Sequence, residues 1–427
     1  MWKYEQNCSI IESMEKLAKN TIWNSAGVLT YYACQWLITV IVVRLSLDYT
    51  NAGYLALAIS VTNVFATIAT YNIRAFQVSD IQGEFSDSEY VATRLLTCAI
   101  SFLLCVVFVL IAGFSPIQIA IVLCYMVFRA HDAFLDVLHG IYQKKWKMDY
   151  IGVSLIVRGV SFLVVFMLLL WLFDLLPAII GMAVTTILIG LLYDIPKAKK
   201  LASFTVYAGK QVISLLKRCF PLMLMILIGM TITSYSKFSV ERIYGSEALG
   251  IFASVTMPAM IIQVATATLL APFGSVLTRC LKEGNKQKFT RVFIIFSYVI
   301  AGGTALFVVL AYFFGRWALN ILYGASILPN VNLLFGAAIG TGLTAFMWLM
   351  SWVLTATRDI RGLFFGNMIG LITCVIAIDP LLLRYGVEGA NHTIILSMGL
   401  AVLCVLGRLF WFLRNRPEIF IKQEVQT

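Results

Sequence analysis

Apolar stretches of about twenty residues recur along the whole chain. They fall at 22–43, 53–73, 94–113, 117–140, 151–173 and 176–194, then at 219–238, 249–271, 292–314, 329–355, 363–383 and 390–413. At a rise of about 1.5 Å per residue, each crosses the roughly 30 Å hydrocarbon core of a bilayer. Inside that core a backbone must satisfy its own N–H and C=O groups, and within single segments of this length only a helix does so. The pattern therefore predicts an all-α integral membrane protein of 12 transmembrane helices in two six-helix bundles, 22–194 and 219–413. Around them lie an N-terminal segment, 1–21, a basic connector, 195–218, and a tail, 414–427. A composition that is 60% hydrophobic and only 12% charged agrees.

The net charge of +11 would point to nucleic acid in a soluble protein, so its distribution matters. With the N-terminus placed inside, the Lys and Arg residues gather on cytoplasmic segments. Only Arg44, Arg242, Arg316 and Arg384 fall at outer ends, and only Arg129, Arg158 and Lys237 lie within spans. That asymmetry orients both termini to the cytoplasm and removes the case for a nucleic-acid partner. The first twenty residues hold no short apolar core with a small-residue cleavage site, so no cleaved leader is expected. Ile10, Ile11, Met14 and Leu17 there recur at helical spacing, predicting a short helix on the inner membrane surface or a frayed tail.

The two halves echo one another. Ala52-Gly53-Tyr54-Leu55-Ala56-Leu57-Ala58 opens the second span much as Leu249-Gly250-Ile251-Phe252-Ala253-Ser254-Val255 opens the eighth. Both run from outside to inside, so the bundles are read as pseudo-symmetric parallel repeats.

The fourth span is the polar one. At about 100° per residue, Tyr125, Arg129, Asp132, Asp136, His139 and Gln143 share an arc of about 80°. A charge at the centre of a membrane helix costs about 2.5–3.5 kcal/mol, so this stripe must face protein or water. Arg158 on the fifth span lies about 12 Å above its cytoplasmic end, against about 8 and 14 Å for Asp136 and Asp132. Depth thus predicts that Arg158 pairs with Asp132 or Asp136, leaving Arg129 with Asp132 or free for an anion. The network is either a structural ion cluster or a functional one. Removing one partner of such a pair costs about 3–5 kcal/mol, so lost activity in a variant must be read beside its folding.

Other spans have wet faces too: Asn24, Tyr31, Gln35 and Thr39 on the first, and Asn63, Thr67, Thr70, Arg74 and Gln77 on the second. Such faces line cavities or bond neighbouring helices. Lys237, near the outer end of the seventh span, has Glu241 one turn on and Asp379 at similar height as alternative partners, or stands as a cation at an outer vestibule. His139, near the inner mouth, suits a proton-coupled step or a satisfied helix end. The nine cysteines form no CxxC pair, and no disulfide framework, metal site or cofactor is expected. No GxxxxGK[ST] loop and no catalytic pair in a soluble cleft is present, so neither an ATP-driven nor an enzymatic role has visible machinery.

On the 6+6 layout, Gly53 and Gly250, and the inner loop Tyr71-Asn72-Ile73-Arg74-Ala75-Phe76-Gln77-Val78-Ser79-Asp80, the chain resembles the bacterial polysaccharide transporters, Wzx-type flippases of the MOP/MATE superfamily. The resemblance implies two bundles around a cavity that opens alternately inward and outward in the bacterial inner membrane. It implies an undecaprenyl-diphosphate-linked oligosaccharide as substrate, moved during O-antigen or capsule synthesis, with a polymerase and glycosyltransferases as partners. Arg74, Arg129, Arg158 and Lys237 become candidates for the anionic diphosphate, and Asn24, Tyr31, Gln35, Asn63, Thr67 and Gln77 for the polar lining. Asp132, Asp136, His139 and Asp379 become candidates for ion pairing or for coupling to a proton or sodium ion. The rivals are a drug or cation antiporter of the same fold, and a membrane enzyme or scaffold of polysaccharide assembly.

Overall fold

A computed structural model describes residues 2–80, 82–204, 210–357 and 359–415; residues 205–209 of the connector and 416–427 of the tail lie outside it. Fourteen α-helices occur among the described residues, and no strand. They are α1 (Trp2–Leu45), α2 (Thr50–Thr70), α3 (Ile73–Ser79), α4 (Asp87–Ile111), α5 (Pro116–Lys144), α6 (Met148–Leu172) and α7 (Leu175–Ile189), then α8 (Ile195–Leu201) and α9 (Lys210–Thr256). The rest are α10 (Ile261–Lys282), α11 (Lys286–Tyr323), α12 (Leu333–Ala356), α13 (Ile360–Tyr385) and α14 (Glu388–Asn415). The short surface helix expected before the first span is not separate, because α1 runs unbroken from Trp2. The side chains of Ile10, Ile11, Met14 and Leu17 fall outside the described part.

Ten stretches among the described residues are long and apolar enough to cross a membrane. The expected twelve crossings count two more. One is α5, whose internal charges set it apart. The other would have to lie within Gln211–Ala267, which is 57 residues long. Gly245 divides that stretch: its φ of 82° lies in the left-handed region, where a glycine breaks the helix at little strain.

The chain forms two compact units: residues 1–47 with 57–227, and residues 48–56 with 228–427. The division falls inside α9. In the second unit, the two glycines of the sequence echo meet. A methyl group on Gly53 would lie 1.7 Å from the Ser246 carbonyl oxygen, and one on Gly250 would lie 2.1 Å from that of Tyr49 and 2.8 Å from the Gly53 nitrogen. Glycine is what lets these two backbones touch.

In the first unit, α1 packs along α6 through a second glycine seam. A methyl on Gly27 would lie 2.6 Å from the Gly152 Cα, and one on Gly152 would lie 2.2 Å from the Trp23 carbonyl oxygen. The close approach carries the Tyr31 ring edge-on to Phe162 and under Arg158. Capping boxes start α4 (Ser86 with Glu89) and α5 (Ser115 with Gln118), fixing where the apolar run of each begins. The loop before α4 is built on Asp80, which accepts from the backbone N–H groups of Glu84 and Phe85 and from the Tyr90 hydroxyl. Burial alone would raise the Asp80 carboxyl. Those donors and the nearby Lys144 ammonium outweigh it and hold the group below its ordinary value.

Candidate functional site

The polar stripe of α5 faces a cavity of about 250 Å³ inside the first unit. Tyr31 and Tyr32 of α1, Thr70 of α2, Arg74 of α3, Arg158 of α6, and Arg129, Asp132, Asp136 and His139 of α5 line it. Eight of the residues singled out from sequence therefore share one space: Tyr31, Thr70, Arg74, Arg129, Asp132, Asp136, His139 and Arg158.

Their ion pairs are resolved one by one. Arg158, 2% exposed, donates through Nη1 to Asp132 Oδ1 at 2.8 Å. The Tyr31 hydroxyl donates to the same carboxylate at 2.7 and 2.8 Å, and its ring lies 5.1 Å beneath the Arg158 guanidinium. Of the two partners that depth leaves open for Arg158, the structure takes Asp132. Asp136 is held by two arginines instead, Arg74 Nη1 at 3.1 Å and Arg94 Nη2 at 2.8 Å. Arg74 also donates to Gln143 Oε1 at 3.0 Å, and Arg94 to the Ala69 carbonyl oxygen at 3.0 Å.

Arg129 is different. Its Nη2 donates to Asn63 Oδ1 at 3.3 Å, and no carboxylate within 4 Å pairs with it among the described residues. It lines the cavity with its charge uncommitted, so of the two fates considered for it, pairing with Asp132 is not the one adopted.

Two charged groups escape the sequence reasoning. Arg94 reads there as one of the cytoplasmic basic residues, yet it is wholly buried in α4. A signal is present: Tyr90, Arg94, Thr97 and Ser101 recur at helical spacing, and all four are buried. Asp194, also wholly buried, lies in a π-helical turn at 190–194 that follows α7. Ser154 donates to its Oδ2 at 2.9 Å, and His139 Nε2 stands 3.4 Å from its Oδ1. The Tyr142 hydroxyl pins the turn by donating to the Asp194 backbone carbonyl at 2.6 Å.

The remaining candidates lie elsewhere. Asn63 touches the site only through Arg129, and Thr67 turns its hydroxyl back to the Asn63 carbonyl. Gln77 is buried against Gly140, away from the cavity, with both amide atoms unpartnered among the described residues. Asn24 and Gln35 do not line the cavity either, and each leaves one buried polar atom unpartnered there. Lys237 and Asp379 belong to the second unit. Asp379 pairs with Arg242, and Lys237 pairs with neither proposed carboxylate among the described residues.

Three lining arginines stand against two lining aspartates, with Arg94 and Asp194 behind them, so a positive excess remains when His139 is neutral. A dry or narrow site with this balance favours an anion, and guanidinium forks match phosphate oxygens.

Comparison with known proteins gives this site a setting. A family described as "Polysaccharide biosynthesis protein" matches residues 17–277. The capsular polysaccharide biosynthesis protein CapF of Staphylococcus aureus is 22% identical over 382 residues, covering 87% of this chain and 93% of that protein. Among solved structures, the lipid II flippase MurJ in an inward closed conformation superposes with a TM-score of 0.69 at 15% identity, covering 91% of this chain and 87% of that one. An inward-facing multidrug resistance MATE transporter of the MOP superfamily gives 0.69 at 13% identity, over 92% and 96%. The Vibrio cholerae MATE transporter VcmN, in its bent form, gives 0.60 at 16% identity, over 95% and 98%. At such identities the structures establish the fold alone, an all-helical one shared with MATE transporters and MurJ. The sequence match establishes more: this multi-pass membrane protein belongs to the polysaccharide biosynthesis protein family.

Proposed function

We propose that this chain is a flippase that moves undecaprenyl-diphosphate-linked oligosaccharide units from the cytoplasmic to the outer leaflet, for capsule or O-antigen assembly. The observation that carries the reading is Arg129, a guanidinium on the cavity wall with no carboxylate partner among the described residues, in a site with an excess of arginine. A diphosphate and several sugars cannot cross hydrocarbon bare, so a polar, cationic path must replace their lost hydration while the polyprenyl tail stays in lipid. In this reading Arg129 takes the diphosphate first. Arg74, on the rim of its pair with Asp136, reorients toward it, while Arg158 and Arg94 hold the aspartates. Lys237 serves as a second cation in the second unit. Twelve crossings, a bacterial inner membrane, cytoplasmic termini and an assembly partnership with polymerase and glycosyltransferases complete the proposal.

The test is translocation of a lipid-linked oligosaccharide in proteoliposomes, comparing wild type with Arg129→Ala at matched levels of folded protein. The expected result is translocation by the wild type and its loss in the folded variant. A wild type that moves no glycolipid but extrudes a cationic dye against a proton or sodium gradient would overturn the reading and install the antiporter.

A further inference from the structure

Asp132 and Asp136 each have a permanent cation beside them, but Asp194 has none. The one cationic partner among the described residues that reaches it is His139, which is charged only when protonated. Asp194 is wholly buried. Its Oδ2 takes the Ser154 hydroxyl, while its Oδ1 has no hydrogen-bond donor in place, and His139 Nε2 stands 3.4 Å away, also unpartnered. A buried carboxylate with one oxygen unsatisfied is a costly arrangement, and a proton on His139 relieves it by supplying both a charge and a donor. His139 is also one of the residues that line the cavity.

We propose that His139 and Asp194 form a proton-binding site linked to the cavity, so that a proton on His139 and a diphosphate anion beside Arg129 and Arg74 each strengthen the binding of the other. The proposal rests on reading the cavity as an anion site. The groups facing His139 account for the linkage. Asp194 from the π-helical turn and Asp136 on its own helix favour the proton. Arg74 from α3 and Arg158 from α6 oppose it. Tyr142, one turn along α5 with its ring 5.9 Å from the imidazole, is neutral and anchors the Asp194 backbone. A ligand whose negative charge is laid against Arg74 weakens the field that, with burial and Arg158, opposes the proton. By reciprocity the proton then adds a positive charge to the wall that holds the ligand. With one proton linked, affinity changes by at most about tenfold per pH unit, and it tightens as pH falls.

Calorimetry of farnesyl diphosphate binding to the purified full chain tests this, run at one pH in buffers of different ionisation heat so that protons taken up per ligand can be counted. The expected result is that the wild type takes up a fraction of a proton more than His139→Gln or Asp194→Asn. Equal uptake in all three overturns the proposal while leaving the anion site standing. Absence of any binding by the wild type instead overturns the anion-site reading, and the linkage with it. A second measurement leaves the pair intact. The chain has three histidines, so His131→Gln with His392→Gln leaves His139 as the sole imidazole signal in a magnetic-resonance titration. Its midpoint moves up when farnesyl diphosphate is added, and a midpoint that stays put refutes the linkage.

Discussion

Replacing Asp136 by alanine separates the architecture of the site from its function. Asp136 neutralises two arginines, and they are unequal. Arg74 is 29% exposed and keeps its hydrogen bond to Gln143, so it can turn into cavity water. Arg94 cannot, because its side chain is fully buried and retains only the Ala69 carbonyl. Breaking one partner of a buried pair costs about 3–5 kcal/mol, and nearly all of that falls on Arg94. Arg129→Ala removes no ion pair and one hydrogen bond to Asn63, so its effect on stability is about 1 kcal/mol or less. Thermal unfolding in detergent, followed by a thiol-reactive dye, provides the assay, since Cys34, Cys105 and Cys219 are buried and label only as the fold opens. Asp136→Ala should unfold well below the wild type, and Arg129→Ala close to it. Pairing Asp136→Leu with Arg94→Met should recover most of the loss, because an apolar pair leaves no charge stranded. If Asp136→Ala proved no less stable than Arg129→Ala, the assignment of Asp136 as the counter-charge of Arg94 would be wrong.

Three further outcomes are expected. Tyr31→Phe removes the hydroxyl donated to Asp132 and should destabilise the protein by about 1.5–3 kcal/mol in the same unfolding assay, with Arg158 still paired. Gly53→Ala and Gly250→Ala should abolish folded protein in membranes, since each methyl meets backbone. Gly302→Ala, with nothing within 4 Å, should be tolerated or stabilise its helix by up to about 1 kcal/mol, and size-exclusion yield distinguishes the three. Asp80 has a folded-state pKa below its unfolded value, so its contribution is present above the unfolded pKa of about 3.9 and is lost as pH falls through the folded one. Asp80→Asn should therefore lower the unfolding temperature at pH 7 and converge with the wild type as pH falls through the folded-state value; a gap that persists in stronger acid would show that the carboxylate charge is not what matters.

The site is legible in sequence where a single helix carries it. Asp132, Asp136, His139 and Arg129 announce themselves because their spacing puts four costly groups on one face of one apolar helix. Tyr31, Arg74 and Arg158 follow from similar faces on their own helices. Legibility fails where a polar residue has two equally good fates. Gln77, Asn24 and Gln35 have the same helical spacing as Tyr31, but spacing cannot say whether a face meets a cavity or another helix. Arg94 is lost because it stands at the end of an apolar run, where a basic residue ordinarily marks the cytoplasmic surface. Asp194 is lost because it precedes Pro196 at a span end, where a carboxylate is ordinarily solvated.

What the sequence determined by itself was the all-helical membrane fold and the helix on which the charges sit, because hydrocarbon permits no other backbone for such segments and local periodicity sets each face. What only the tertiary structure decided was who pairs with whom. The Gly27–Gly152 seam brings Tyr31 to Asp132, the burial of Arg94 claims Asp136, and the π-helical turn delivers Asp194 to His139. Those choices depend on distances between helices far apart in the chain, which no local pattern encodes, and by committing every other arginine of the cavity they leave Arg129 as the one with charge to spare among the described residues.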